Sequence, residues 1–317
     1  MITSNISKAL DALKLGALVG IPTETVYGLA GNAFNEHAID QIFKLKNRPT
    51  NNPLILHTHS INEVLHFVQH IPPAAMKLAE AFWPGPLTLL LPKKANIPFS
   101  VTSGSHLVAV RIPNHPVTLA LLKQLDFPLV APSANPYTRI SPTNAQMVYD
   151  YFGDALPIIL EGDICSKGIE STIVGFHDNT PIIYRQGAIS IDAIELIAGK
   201  SKVETNINER IIAPGMSPMH YAPKTKFCIV ECILDFIKKN PELKIGMLTL
   251  GKKDIKQPNT TCINLSLTAD LEEASTNLYK SMYDLDAMEL DCIIIELFPE
   301  TGIGKSLNDR IHRASFR

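Results

Sequence analysis

Short apolar runs of strand character recur along the first two thirds of the chain, and they constrain its fold class more than any other feature. They are ALVGIP (17–22), PLILH (53–57), LTLLL (87–91), LVAVRI (107–112), FPLVAPSA (127–134), LPIIL (156–160), STIVGF (171–176) and PIIYR (181–185). Several are joined by helical patterns and several by short turns, the mixture expected of an α/β domain with a largely buried, mixed sheet. NISKALDALKLG puts Ile6, Ala9, Leu10 and Leu13 on one helical face and stops at Gly16. NEHAIDQIFKLK offers Asn35 as N-cap and turns Ile39, Ile42, Phe43 and Leu45 inward.

From about Lys200 to Lys226 the apolar rhythm fades, and APGMSPMHYAPKT brings three prolines and a glycine. That composition reads as an ordered, semi-extended linker, not a loose tether. Beyond it FCIVE, KIGMLTL, TCINLS and DCIIIEL alternate with helical segments, the longest being TADLEEASTNLYKSMYDLDAME, in the order of a small Rossmann-like α/β layer. The expected division is 1–200, a linker over 201–226, and 227–317.

At 317 residues, 45% hydrophobic and 19% charged, the chain can bury two cores. Lys and Arg number 14 against 15 Asp and Glu in residues 1–200, and 15 against 16 in 201–317. This even balance argues against a polyanion-binding protein, yet leaves room for a local basic cleft serving a small anion. The five cysteines are odd in number and include no C-x-x-C pair, so neither a disulfide framework nor a zinc site is indicated and buried, reduced thiols are expected. Charges interrupt the N-terminal apolar segment, and no stretch reaches ~20 uncharged apolar residues, so a cytoplasmic location is expected.

Nucleotide motifs of standard form are missing. There is no G-x-G-x-x-G, and PETGIGKSLNDR fails as a phosphate loop because Pro299 stands where a glycine is required. A helix start capped by Ser306 or a neighbour is the expectation there. Without G-x-S-x-G, Ser133 is no elbow nucleophile. What remains is a set of polar clusters at the ends of apolar runs: PTETVYG, KNRP, His57, Arg111, PSAN, EST and Arg185. Ligand sites of α/β sheets gather at such ends. Taken singly, Arg111 fits a structural ion pair as well as a ligand, His57 fits a satisfied core imidazole, and PSAN fits a turn. Taken together, Lys46 and Arg48 supply a point charge and a planar fork suited to a polyphosphate, while the hydroxyl-rich turns and Arg111 suit a small zwitterion and its carboxylate.

IPTETVYGLAGNA, KLKNRPTNNPLILH, AFWPGPLTLLL, VAVRIPNH, APSANP with SPT, and IESTIV with IYRQGAIS run in the order of the YrdC-type domain. With APGMSPMHYAPKT and the terminal IGKSLNDRIHRA, the whole resembles the two-domain form of the L-threonylcarbamoyladenylate synthase family. The resemblance implies a YrdC-type mixed sheet followed by a Rossmann-like domain. It also implies an ATP-dependent nucleotidyltransferase that joins L-threonine and bicarbonate or carbon dioxide to AMP, for tRNA threonylcarbamoyladenosine formation. The family's K-x-R and S-x-N signatures fall on Lys46 with Arg48 and on Ser133 with Asn135. Threonine would face Thr25, Tyr27, His57, Arg111, Ser133 and Ser171. ATP would face Lys46, Arg48, Asn52, Asn135, Ser141, Arg185 and Tyr221, with Lys46 and Arg48 as the catalytic cations and magnesium carried in with ATP. Proteins that transfer the threonylcarbamoyl group to tRNA are the implied partners, with at most a weak tRNA contact. Two rival readings are an RNA-binding module, disfavoured by the charge balance, and carbamoyl transfer as in hydrogenase maturation, whose C-x-x-C pairs and acylphosphatase-like region are not visible.

Overall fold

The computed structural model describes residues 1–204, 213–214, 220–253, 255 and 257–316. Among these, eleven strands form one mixed sheet in the order Ile2–Thr3, Ile158–Leu160, Val19–Ile21, Gly28–Asn32, Leu129–Val130, Ile55–His57, Leu107–Arg111, Leu87–Pro92, Thr172–His177, Thr180–Arg185 and Lys202–Val203. Parallel pairings such as Ile55–His57 with Leu107–Arg111 alternate with antiparallel ones such as Leu87–Pro92 with Leu107–Arg111. Each apolar run identified in the sequence supplies one of these strands, and their leucines, valines and isoleucines fill the main core.

Local chemistry accounts for the helices that carry the site. The side chain of Asn35 accepts from the amides of His37 and Ala38 and starts helix Glu36–Lys46, which buries Ala38, Ile39, Ile42 and Phe43; Leu45 is only half-buried. Asn47 closes it in the left-handed region, at φ 51°, a conformation asparagine tolerates better than most residues. Lys46 therefore occupies the last helical turn and Arg48 lies beyond the helix, so the two cations leave the backbone in different directions.

The second sheet is parallel throughout, in the order Lys226–Ile229, Cys292–Ile295, Ile245–Thr249 and Thr260–Asn264. Helix Leu271–Asp286, capped by Asp270, and helix Gly304–Ser315 complete this layer and pack toward the first unit. Ser306 is not a cap: Ile303 precedes the last helix without a side-chain bond, and Ser306 is buried inside its first turn. The cysteines are all free, but only Cys165 and Cys292 are buried; Cys228 and Cys232 are half-buried and Cys262 is exposed, a correction to the expectation of buried thiols. No helix among the described residues is long and apolar enough to cross a membrane.

The two units share polar and apolar contacts. Arg139 pairs with Asp286 at 3.0 Å, and the hydroxyls of Ser275 and Thr276 donate to the carbonyls of Lys167 and Ser166 at 2.6 and 2.9 Å. Val26, Ile140, Met147, Ile169 and Ala188 join a core cluster with Leu278, Tyr279, Leu307 and Ile311 from the second unit.

Candidate active site

A pocket partly open to solvent lies where the polar clusters converge. Thr25, Arg48, His57, Arg111, Ser133, Ser171, Arg185 and Tyr221 line it, together with Glu170, Pro214 and His220. The sheet brings them there. His57 and Arg111 end neighbouring parallel strands and sit in register with one another. Ser133 bridges to Gly28 just beyond Thr25, and Ser171 immediately precedes the strand that pairs with the one ending in Arg185.

Each cation is held differently. Arg48 donates from Nε to Asn52 O at 3.1 Å and from Nη2 to Asn52 Oδ1 and Pro53 O at 2.6 and 2.8 Å. Burial lowers its pKa to about 10, with the Arg185 charge acting in the same direction. Arg185 wraps the Ser171 turn, donating to Ser171 O and Oγ at 2.9 and 3.0 Å from Nη2, and to Pro214 O at 3.3 Å from Nη1. Burial lowers its pKa also. Arg111 touches Glu24 at 2.9 Å and donates to Gly85 O at 3.3 Å. Lys46 is 1% exposed but does not line the cavity; its ammonium donates to Ser133 O at 2.5 Å and to Asn135 O, bracing the S-x-N turn. Burial and the neighbouring Arg48 charge push its pKa well down.

His57 is buried, and its Nδ1 lies 3.0 Å from Ile55 O. A carbonyl only accepts, so Nδ1 carries the proton and Nε2 keeps the lone pair. Burial, then the Arg111 charge, push this imidazole down to about 3, and it is neutral at physiological pH.

Other sequence-predicted residues stand back from the cavity wall. Tyr27 is fully buried and donates its hydroxyl to Gly162 O at 3.1 Å. Asn52 receives Arg48, while Asn135 donates to Pro136 O and Arg139 O at 2.9 and 2.8 Å. The Asn52 Nδ2 and Asn135 Oδ1 atoms are buried without hydrogen-bond partners among the described residues. Ser141 donates to Glu170 Oε1 at 2.6 Å. Half of the expected linker over 201–226, namely 205–212 and 215–219, lies outside the described residues. Its described part brings Pro214, His220 and Tyr221 to the cavity, Tyr221 at φ 64° with its hydroxyl lacking a partner among the described residues. Burial, reinforced by the charges of Arg48 and Lys46, pushes the His220 imidazole well down.

Sequence reading missed the acidic members of the site and their partners. In the sequence Glu24 and Glu170 stand only as neighbours of hydroxyl residues, in TET and EST. Glu170 is buried and receives Arg310 Nε at 2.8 Å and the Tyr279 hydroxyl at 3.0 Å, both from the second unit. Burial alone would raise its carboxyl, but the Arg310 and Arg185 charges and the Ser141 hydroxyl outweigh that and hold it below the ordinary carboxylate range. The missed signal was positional: Arg310 stands with Leu307, Ile311 and Ala314 on the buried stripe of its helix, where a charge persists only when paired.

Three arginines around one cavity, on a mixed sheet carrying a parallel second layer, define an α/β protein with a cationic cavity. The family model described as Telomere recombination, which joins Sua5, YciO and YrdC, matches residues 11–187, and the model described as Threonylcarbamoyl-AMP synthase, C-terminal domain, matches 189–315. A threonylcarbamoyl-AMP synthase of Pyrococcus abyssi is 34% identical over 321 residues, covering 97% of this chain and 93% of its own. One from Bacillus subtilis is 35% identical over 320 residues, covering 98% and 92%. The crystal structure of P. abyssi Sua5 complexed with L-threonine has a TM-score of 0.89 at 34% identity, covering 98% of this chain and 94% of that one. E. coli YciO, at 20% identity and a TM-score of 0.52 over 59% of this chain and 93% of its own, shares the fold. The chain belongs to the threonylcarbamoyl-AMP synthase family in its two-domain form, and is an enzyme of the nucleotidyltransferase class.

Proposed function

We propose that this enzyme joins L-threonine, bicarbonate or carbon dioxide, and ATP into L-threonylcarbamoyl-AMP and pyrophosphate, the first step of tRNA threonylcarbamoyladenosine formation. The observation that carries the reading is the convergence of Arg48, Arg111 and Arg185 with the hydroxyls of Thr25, Ser133 and Ser171 and a neutral His57 on one cavity. The relative crystallised with L-threonine supports the amino-acid half.

In the proposed chemistry the neutral threonine amine takes up carbon dioxide and loses a proton, giving a carbamate; from bicarbonate the same carbamate forms with loss of one water, which carries the amine proton away. A carbamate oxygen then attacks the α-phosphorus of ATP. One P–O bond forms, the bond to the bridging oxygen breaks, and pyrophosphate leaves with that electron pair. The enzyme needs no covalent nucleophile, because alignment of two bound molecules and electrostatic stabilisation of the transferring group suffice. Arg48 and Arg185 would meet the phosphates, Arg111 the threonine carboxylate, and His57 Nε2 would accept a proton-bearing group of threonine. Lys46 would act from behind the wall, through its field and by bracing the turn of Ser133 and Asn135. Magnesium enters as part of the MgATP substrate. Residues 1–200 would form the catalytic unit, and the linker residues Pro214, His220 and Tyr221 would help shield the water-labile carbamate. The product would pass to proteins that transfer the threonylcarbamoyl group to tRNA.

The test is direct. The purified protein is mixed with MgATP, bicarbonate and threonine, each is omitted in turn, and pyrophosphate and the mixed anhydride are followed, the latter by mass. Formation of the anhydride only in the complete mixture is expected; pyrophosphate release indifferent to threonine would overturn the reading.

A further inference from the structure

Arg310 belongs to the last helix of the second unit, yet its guanidinium ends beside the cavity of the first. It is 1% exposed, pairs with Glu170 through Nε at 2.8 Å and with Asp309 Oδ2 through Nη1, and donates from Nη2 to Gln186 O at 2.7 Å. Its guanidinium carbon lies 4.8 Å from the ring centroid of Tyr221, a cation–π contact, and Tyr221 stacks on Tyr279 at 5.7 Å. Both Glu170 oxygens are engaged: Oε1 by Ser141, Oε2 by Arg310 and Tyr279. Glu170 and Arg185 line the same cavity and interact electrostatically, but Arg185 makes no ion pair with a carboxylate among the described residues; its donors go to Ser171 and Pro214. Gly187 keeps the segment after Arg185 against the Glu170 turn, since a Cβ there would come within 2.4 Å of Glu170 O.

We propose that Arg310 is a positioning residue for the reaction: it neutralises Glu170 and holds that carboxylate away from Arg185, so that the Arg185 charge faces substrate phosphate. The second unit thus completes the catalytic site electrostatically, in addition to packing against it. The proposal rests on the adenylate-forming reading above. A buried carboxylate stripped of its cation seeks another, and Arg185, on the same cavity wall, is the other cation whose charge already acts on Glu170. An arginine engaged by Glu170 would be lost to ATP.

The test compares pyrophosphate release against MgATP concentration, at saturating threonine and bicarbonate, for the full-length enzyme, Arg310→Met, and Arg310→Met combined with Glu170→Gln. Arg310→Met should raise the KM for ATP by about tenfold or more, the scale of losing one charged contact to a ligand, and leave the KM for threonine much less changed. Adding Glu170→Gln should bring the ATP KM back to within about threefold of the unaltered enzyme, because the competing charge is gone. A merely structural arginine gives no such rescue. An ATP KM in Arg310→Met within about twofold of the unaltered enzyme, or a double variant no better than the single one, overturns the proposal. Should Arg310→Met fail to fold, the double variant decides alone: it is expected folded and ATP-competent, and an unfolded or ATP-blind double variant overturns the idea. An unaltered enzyme lacking threonine-dependent pyrophosphate release overturns the proposed reaction and this inference with it. A competent enzyme with an indifferent Arg310→Met overturns only the inference.

Discussion

His57 gives the sharpest pH prediction. Its imidazole is 2% exposed, its Nδ1–H is committed to Ile55 O, and burial together with Arg111 brings its pKa down to about 3. In the unfolded chain the ring takes a proton near the ordinary value of about 6.5. Between those two values the unfolded state binds more protons, so stability rises with pH. The contribution is intact above about pH 6.5 and is lost as pH falls toward about 3. The loss accrues at about 1.4 kcal/mol per pH unit, or about 2 kcal/mol by pH 5, with an upper bound near 5 kcal/mol at the foot of the window. Replacing the ring by an amide in His57→Asn removes the titration but keeps a donor for Ile55 O. Paired urea titrations of the two proteins, ligand-free, should therefore show the stability advantage of the unaltered enzyme over the variant shrinking by about 2 kcal/mol between pH 7 and 5. NMR of the His57 ring should show it neutral throughout that range. Parallel losses in the two proteins, or a ring that titrates near its free value, would refute the reasoning.

Further expectations follow from the same geometry. Lys46→Ala and Arg48→Ala should each lower kcat/KM by about 100-fold or more, the cost of losing a preorganised electrostatic contact. Lys46→Ala should also speed hydrogen exchange in the Ser133–Asn135 turn; near-normal turnover in both variants would remove the proposed role. Serine lacks one methyl of threonine, worth about 1–3 kcal/mol in a fitted pocket, so it should be used about 10- to 200-fold less efficiently. Equal kcat/KM for the two amino acids would contradict a methyl pocket. Gly187→Ala would place a Cβ 2.4 Å from Glu170 O and 2.5 Å from both Ser171 C and Thr172 N. It should lower the urea midpoint by the equivalent of about 1–3 kcal/mol and reduce pyrophosphate release, and unchanged values of both would show that the two turns are not mutually fixed.

The elements that sequence reading identified well are those fixed by local chemistry. The apolar runs became strands, and Asn35 caps its helix, because burial and capping act over a few neighbouring residues. Differences arise where a backbone conformation or a partner outside the motif decides the outcome. Ser306 looked like a cap, but the chain enters the last helix with Gly304 packed tightly against Pro299 O, so the helix begins there and Ser306 is carried inside. Lys46 and Arg48 were read as one pair facing one ligand. The left-handed Asn47 between them sends Lys46 to the Ser133 and Asn135 carbonyls and Arg48 to the Asn52 loop. Arg111 makes the structural ion pair, with Glu24, and still lines the cavity. Arg310 escaped notice because its partner lies 140 positions away, and no local pattern names a partner at that distance.

The distribution of counter-charges explains how a chain of net charge −2 can hold a strongly cationic cavity. Glu24 is matched to Arg111, and Glu170 to Arg310. Arg48 and Arg185 are instead solvated by carbonyls, an amide and a hydroxyl. Dipoles stabilise a buried guanidinium without cancelling its charge, which is why burial still lowers the pKa of both. In the proposed reaction an anion beside these arginines would offset that cost, so the same feature would favour the substrate polyphosphate. A carboxylate ion-paired to either arginine would offset that cost and, in the proposed reaction, compete with the substrate phosphates. On this argument the placement of Glu170 toward the second unit matters to the site as much as the arginines that line it.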